Sequence, residues 1–399
     1  MGKTEFQGTK LKNARLFRGK TLTELATLTG ISKQSISLYE NGTNRPDHER
    51  VLSISQALDI PYEFFFQEDS FNTLTEATYF RALMSATKMN RTVQSIKLEY
   101  VAKLYETLVE YIDFPALNLP PIDFSGNEED RSLDFESVAT MQEIESVAIK
   151  VREYWGVGDG PVDNLQLLLE ANGIIVTGFD TGEDNIDAFS QRTLLNDENM
   201  FFICLDQGDK PEGRIRFDMA HELGHILMHP WSENLELISK DEFKSRERQA
   251  NMFAGAFLLP ENSFVRDIRA YPTDLKYYLW LKKKWKASVA AMMYRSNQLG
   301  VITANQFQYM MRQYSKNGWR RKEPDDIPFY LNANILRGAV ELLIEQKYFT
   351  PASLLRFFWE RGVALNAADI EGLLYLRKGT LGEKEPKSSP VQLRLIKNS

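Results

Sequence analysis

The sequence predicts several domains: a small all-α head, an α+β domain behind it and a mainly helical C-terminal region. Three observations predict this. Residues 6–66 break into short helical stretches separated by turn signals, residues 141–257 mix helical patterns with two short apolar strands, and residues 275–313 return to helical spacing. With 399 residues, 43% hydrophobic and 12% aromatic, the chain has material for two or three sizeable cores. The expected divisions are a head over 1–68, a helical connector and Pro-rich linker over 69–135, the α+β domain over 136–265, and a C-terminal region over 266–399 without an assigned role.

Composition removes several classes. The apolar content is too high for a disordered acidic chain, and no stretch approaches the ~18 uninterrupted apolar residues of a membrane span. Met1-Gly2-Lys3-Thr4-Glu5 leads into polar sequence, not into an apolar signal core, so the expected location is the cytoplasm. The single cysteine, Cys204, sits in the apolar run Met200 to Leu205. It excludes an internal disulfide and a cysteine-based zinc site, and is expected as a buried strand thiol. The formal charge of −7 is uneven: residues 1–50 carry nine basic and five acidic groups, a local +4 that keeps nucleic acid open as a partner.

In the head, five short helices are expected: Lys10 to Arg18, Leu22 to Thr29, Lys33 to Glu40, His48 to Leu58 and a last one around Pro61 to Phe66. Asn41-Gly42, Arg45-Pro46 and Ile60-Pro61 are the breaks. Thr21 and Glu24 have capping-box spacing, Gly30 falls where a left-handed residue ends the second helix, and Ser32 can cap the third. Ala26 lets the two helices approach, with Leu25, Ile31, Ile36 and Leu38 as apolar contacts. Two short helices joined by such a turn form a helix-turn-helix, whose second member can enter the major groove.

Leu25-Ala26, Gly30-Ile31-Ser32, Ile36, Tyr39 to Gly42 and Arg45-Pro46 resemble the lambda-repressor-type (XRE) helix-turn-helix family over roughly residues 8–66. The resemblance implies that Lys33, Gln34, Ser35 and Ser37 face base edges and nearby phosphates, with Arg45 also a DNA contact. Leu22 stands where the family often has a Gln that braces a phosphate. The other reading is a protein-interaction platform; the polar side chains at 33, 34, 35 and 37 suit base readout better.

Residues 74–112 are expected as one or two amphipathic helices, with Ile96, Tyr100, Leu104, Leu108 and Ile112 at helical spacing, and are the candidate dimerisation element of a homodimer. Pro115, Pro120, Pro121, Gly126 and Glu128-Glu129-Asp130 mark a linker between Phe114 and Asp134. The α+β domain then reads as a helix from Met141 to about Tyr154, a helix from Asn164 to Glu170, strands Ile174 to Thr177 and Phe201 to Leu205, a histidine-bearing helix, and a helix from about Glu242 to Phe257. The chain ends in a strand-like Val391 to Leu395.

Three of the four histidines, His221, His225 and His229, fall within nine residues. On a helix His221 and His225 are one turn apart and can share one metal ion, with Glu222 beside the first as general base for a water; this is the H-E-x-x-H spacing of zinc peptidases. Asp218 is expected to cap this helix and Pro230 to end it. A catalytic zinc needs a third protein ligand. Met228 and Trp231 exclude the metzincin pattern, and His229, rotated roughly 80° from His221, is expected at the flank. Among carboxylates Glu247 is the best candidate, because Ala250, Ala254 and Ala256 allow its helix to pack closely; Glu233, Glu236 and Glu242 remain alternatives. The strand Phe201 to Leu205, as a sheet edge, would align a peptide.

Arg216-Phe217, Ala220 to His225, His229-Pro230 and Glu247 to Pro260, with Gly160-Pro161, Leu168-Leu169-Glu170, Gly173-Ile174 and Ala188-Phe189-Ser190, resemble the ImmA/IrrE-type metallopeptidase family over about 140–265. The family usually has Thr or Ser where Asp218 stands. The resemblance implies a zincin-like fold, zinc held by His221, His225 and Glu247, and Glu222 as general base. It further implies a stress-response or mobile-element regulator that cleaves an XRE-type repressor, or its own linker, while its head holds a double-stranded DNA operator. The alternative function is a transcription factor or antitoxin whose peptidase-like domain is a sensor or partner-binding module with little or no proteolysis. No membrane partner is expected.

Overall fold

The computed structural model describes residues 5–67, 71, 74–79, 88–122, 141–179, 188–195, 198–206, 208, 210–229, 238–329, 331 and 334–382. Pro230, Trp231, Glu233, Glu236, the strand-like 391–395 and much of the 114–134 linker lie outside them. Two compact units form: one joins Met1–Phe71 to Leu336–Ser399, the other is Asn72–Ile335. Residues 266–399, expected as one region, are thus shared between both.

In the first unit, helices α1 (Gly8–Phe17), α2 (Leu22–Thr29), α3 (Lys33–Glu40) and α4 (His48–Leu58) precede a 3-10 turn at Tyr62–Phe66. Each helix start is locally encoded. Thr21 and Glu24 form the reciprocal capping box, Ser32 accepts from the Ser35 amide, and Asp47 accepts from the Arg50 amide. Gly30 ends α2 at φ 69°, a left-handed conformation that costs glycine little. Leu11, Leu25, Ile36, Val51, Ile54 and Phe64 make the core, and a buried pair of Arg15 with Glu40, 2.6 Å from Nε to Oε1, ties α1 to α3.

The same unit contains α14 (Ile335–Glu345), α15 (Pro351–Glu360) and α16 (Ala367–Leu373), α14 starting at the unit boundary. Their Leu343, Leu354, Phe358, Leu365 and Ile370 are buried. Polar contacts join them to the head: Arg18 binds Asp369, Asn366 Nδ2 donates to the Asp59 carbonyl at 2.6 Å, and Gln67 Nε2 donates to the Trp359 carbonyl at 2.6 Å.

The second unit is built on a four-stranded sheet of β1 (Leu74–Tyr79), β2 (Ile174–Phe179), β3 (Ala188–Leu195) and β4 (Glu198–Asp206) in the order β1-β3-β4-β2. β4 is antiparallel to β3 and parallel to β2. It is therefore an inner strand, and the expectation that Phe201 to Leu205 forms a sheet edge is corrected. Cys204 is buried there, as expected. The expected helix over the start of 74–112 is also corrected: residues 74–79 form β1, and among the described residues of this stretch the helix is α5 (Lys88–Val109). Ile96, Tyr100, Leu104 and Leu108 on α5 are buried, with Tyr105 edge-on to Phe202 of the sheet, so this stripe is used up inside the unit and is not a free dimer face.

α6 (Met141–Tyr154), α7 (Leu165–Ala171), α8 (Glu212–Met228) and α9 (Lys240–Leu258) complete the α+β part. Arg152 on α6, buried, donates to the carbonyls of Gly158, Gly160 and Phe257, which fixes the glycine-rich turn against the end of α9. Helices α10 (Glu261–Ile268), α11 (Leu275–Trp285), α12 (Val289–Gln298) and α13 (Ala304–Lys316) pack on this part. Arg295 joins them to it, donating to the Leu259 carbonyl at 3.0 Å and pairing with Glu145 of α6. Glu323 caps α12 through the amides of Val289 and Ala290 and pairs with Lys282.

Candidate functional site

α8 starts at Glu212, not near Asp218. Asp218 is 5% exposed in the helix interior, and Pro211 is the N-cap residue, so the expected capping role of Asp218 is corrected. Ile215, Met219, Leu223 and Ile226 bury the apolar stripe that seats the helix. α9 crosses close to it. A Cβ on Gly224 would lie 3.2 Å from the Ala250 Cα and 3.1 Å from a Phe253 ring carbon, so glycine on one helix and alanine on the other set the approach.

That approach brings three donor groups to one point. His221 Nε2 is 3.0 Å from His225 Nε2, and Glu247 on α9 reaches them at 3.5 and 3.2 Å. His221, His225 and Glu247 are the one metal-competent cluster found among the described residues. Glu242, an alternative from sequence, pairs with Arg246 at 2.5 Å instead.

The partners of the two rings decide what these atoms offer. His221 Nδ1 lies 3.1 Å from the Asn251 Oδ1, an acceptor that suits the tautomer with its proton on Nδ1. His225 Nδ1 lies 2.8 Å from His229 Nδ1, and His229 Nε2 lies 3.1 Å from Gln249 Oε1. Burial, with His225 facing it, holds His229 well below the ordinary histidine pKa, so its ring is neutral. It donates to Gln249 and accepts from His225. Both Nε2 atoms then turn lone pairs toward the Glu247 carboxylate, an arrangement that repels unless a cation sits between them. Ligands about 2.05 Å from a tetrahedral zinc stand about 3.3 Å apart, close to the 3.0 Å between the two Nε2 atoms, and one ligand atom from each of the three residues lies within 4.8 Å of the others. The donor set fits such an ion.

Glu222 is 1% exposed, and the Ser190 hydroxyl on β3 donates to its Oε2 at 2.5 Å. Ser190, Gln249 and Asn251 are contacts that residue spacing did not reveal. The short Ala188-Phe189-Ser190 was the signal available for the first, and for Gln249 there was none.

In the head, Lys33 and Gln34 at the start of α3 are exposed, and Ser35 and Ser37 are half-buried, with the Ser35 hydroxyl 2.8 Å from that of Ser32. Arg45 is exposed and pairs with Glu5 at 2.5 Å. The four α3 positions share one short helix whose buried residues are Ile36, Tyr39 and Glu40.

Comparison with known proteins matches both units. Residues 11–65 fit the family model described as Helix-turn-helix, and residues 169–297 fit the one described as IrrE N-terminal-like domain, a peptidase family. The chain thus carries an XRE-type helix-turn-helix domain and an ImmA/IrrE-like metallopeptidase-family domain. The second match continues past residue 265 into α12, where Arg295 anchors the added helices. Two curated relatives, uncharacterized HTH-type transcriptional regulators of Sinorhizobium medicae and Rhizobium meliloti, are each 38% identical over 61 residues. The match spans 15% of this chain and 44% of each relative. Among the described residues, no helix is long and apolar enough to cross a membrane.

Proposed function

We propose that this protein is a DNA-binding transcriptional regulator of the cytoplasm whose second unit is a zinc-dependent endopeptidase acting on a repressor-type protein or on its own chain. The observation that carries the reading is the convergence of His221, His225 and Glu247 beside the buried Glu222. His221 Nε2, His225 Nε2 and a Glu247 oxygen would hold the zinc, which supplies Lewis acidity toward the scissile carbonyl and the attacking water. Glu222 takes the proton of that water and delivers it to the leaving nitrogen. The Ser190 hydroxyl on Oε2 fixes the carboxylate for both transfers, while Asn251 and the His229–Gln249 pair hold the histidine rings in the required tautomers. In the head, Lys33, Gln34, Ser35 and Ser37 read base edges and Arg45 contacts the backbone, with two heads on a two-fold operator.

The experiment compares wild type with Glu222→Gln, both loaded with zinc and incubated with an XRE-type repressor. Glu222→Gln is expected to keep about one equivalent of zinc and to lose cleavage by ~10²–10⁴-fold, and His221→Ala is expected to lose the metal. A wild type that binds zinc and operator but cleaves neither repressor nor itself would establish the sensor function in place of the peptidase.

A further inference from the structure

β3 is the strand that touches Glu222, through Ser190, and among the described residues β1 alone lies outside it in the sheet. β1 runs antiparallel to β3, with Leu74 opposite Leu194, Thr75 opposite Thr193, Thr78 opposite Gln191 and Tyr79 opposite Ser190. The last residue of β1 therefore lies across from the residue that holds the catalytic carboxylate. An extended chain on this edge passes the candidate active site with its backbone already in register.

The β1 pairing is also the interrupted one in the sheet. β3 and β4 pair without interruption from Ala188↔Leu205 to Leu195↔Glu198, and β2 and β4 from Ile174↔Phe201 to Phe179↔Asp206. β1 makes two pairs, loses register between Thr75 and Thr78, and makes two more. An edge strand whose register is interrupted by a bulge is the natural strand to exchange. Its sequence, Leu-Thr-Glu-Ala-Thr-Tyr, contains no Pro or Gly and carries two β-branched threonines, so it competes as an ordinary strand would.

We propose that the outer edge of β3 is a binding site for an extended peptide strand, and that β1 is its occupant within this chain, a built-in competitor that a partner's peptide must displace. The site recognises main-chain amides and carbonyls by strand addition. β1 begins three residues after Phe71, the last residue of the first unit's N-terminal segment, so displacement releases chain adjacent in sequence to that segment. The proposal rests on the peptidase reading for what the edge serves, but strand exchange is measured by binding alone.

The test uses the full chain in a Glu222→Gln background, which keeps the probe intact, and a fluorescein-labelled peptide with the sequence of residues 71–80. Thr78→Pro combined with Tyr79→Pro removes a ladder donor from β1 whichever of the two amides faces β3. This variant is expected to bind the peptide at least tenfold more tightly than its parent. Thr75→Cys combined with Thr193→Cys locks β1 in place when oxidised; peptide binding should vanish and return on reduction of the same sample. Equal affinity in parent and proline variant, or binding unaffected by the lock, overturns the proposal. A chain that cleaves nothing yet shows this exchange keeps the peptide edge and loses only the peptidase function.

Discussion

Arg18 grips Asp369 with both ends of its guanidinium, Nη1 to Oδ1 at 2.5 Å and Nη2 to Oδ2 at 2.6 Å, and so joins the first helix of the chain to the last described one. It also donates to the Leu58 and Asp59 carbonyls at 2.7 and 2.6 Å. A two-pronged, largely buried charge pair of this kind contributes about 1–3 kcal/mol. Asp369→Ala should destabilise the first unit by that amount in urea unfolding, and Arg18→Ala by more, because two carbonyls also lose their donor. The double variant should cost little beyond Arg18→Ala alone. Strictly additive effects would show that the two side chains do not interact.

Gly224→Ala tests the helix crossing at the candidate metal site. The added methyl meets the Ala250 backbone at 3.2 Å, where nothing flexible can give way. The expected outcome is about 1–3 kcal/mol of lost stability and a displaced Glu247, seen as at least tenfold weaker zinc binding in a competition titration. Full zinc affinity in a folded variant would contradict the role given to this crossing.

Gln249→Leu removes the acceptor that fixes the His229 tautomer, and through it the proton on His225 Nδ1. Loss of an outer partner of this kind costs ~10–100-fold in metal affinity. Zinc affinity should fall into that range with the fold intact by circular dichroism, and Gln249→Glu, which keeps an acceptor, should recover part of it.

Glu170 on α7 is buried and accepts from the Ile335 amide at 3.1 Å; desolvation raises its pKa from 4.5 to about 7. Between those values the folded chain keeps a proton that the unfolded chain releases, so stability falls as pH rises through the window and the loss is complete above pH 7. The difference of about 2.5 pKa units sets an upper bound of ~3 kcal/mol. Glu170→Gln keeps the acceptor and removes the charge, so it should be more stable than wild type at pH 8 and nearly equal to it at pH 4.5 in denaturant titrations. A gain that does not grow with pH would rule out this origin.

The head is legible in the sequence because its helix ends are coded by neighbours: Thr21 with Glu24, Gly30, Ser32. His221, Glu222 and His225 are legible because their spacing is a single helix face. Glu247 was one of several open carboxylates, and what brings it to the histidines is a tertiary crossing at Gly224 and Ala250 that no local pattern encodes. β3 was hidden for the opposite reason: its run Ser190, Gln191, Arg192, Thr193 is polar, yet three of the four are fully buried, so hydrophobic alternation is absent where the strand meets the candidate site. β1 depends on β3 for its pairing, and its short Leu74 to Tyr79 carries no local signal that separates it from the helical pattern that follows. Asp218 looked like a cap because a short acidic residue preceding a helical pattern usually is one; the helix runs six residues further toward the N-terminus.

The first unit is assembled from both ends of the chain, with everything from Asn72 to Ile335 inserted between its halves. A cut anywhere in that insertion, including the 114–134 linker, would not free the DNA-binding head as a simple N-terminal fragment. It would leave a two-piece particle held by contacts such as Arg18 with Asp369 and Gln67 with Trp359, converting a docking held at high effective concentration into one with its own dissociation rate. Under the proposed self-cleavage, separation of the head would then be timed by how fast those two pieces part, and hydrolysis would only start the clock.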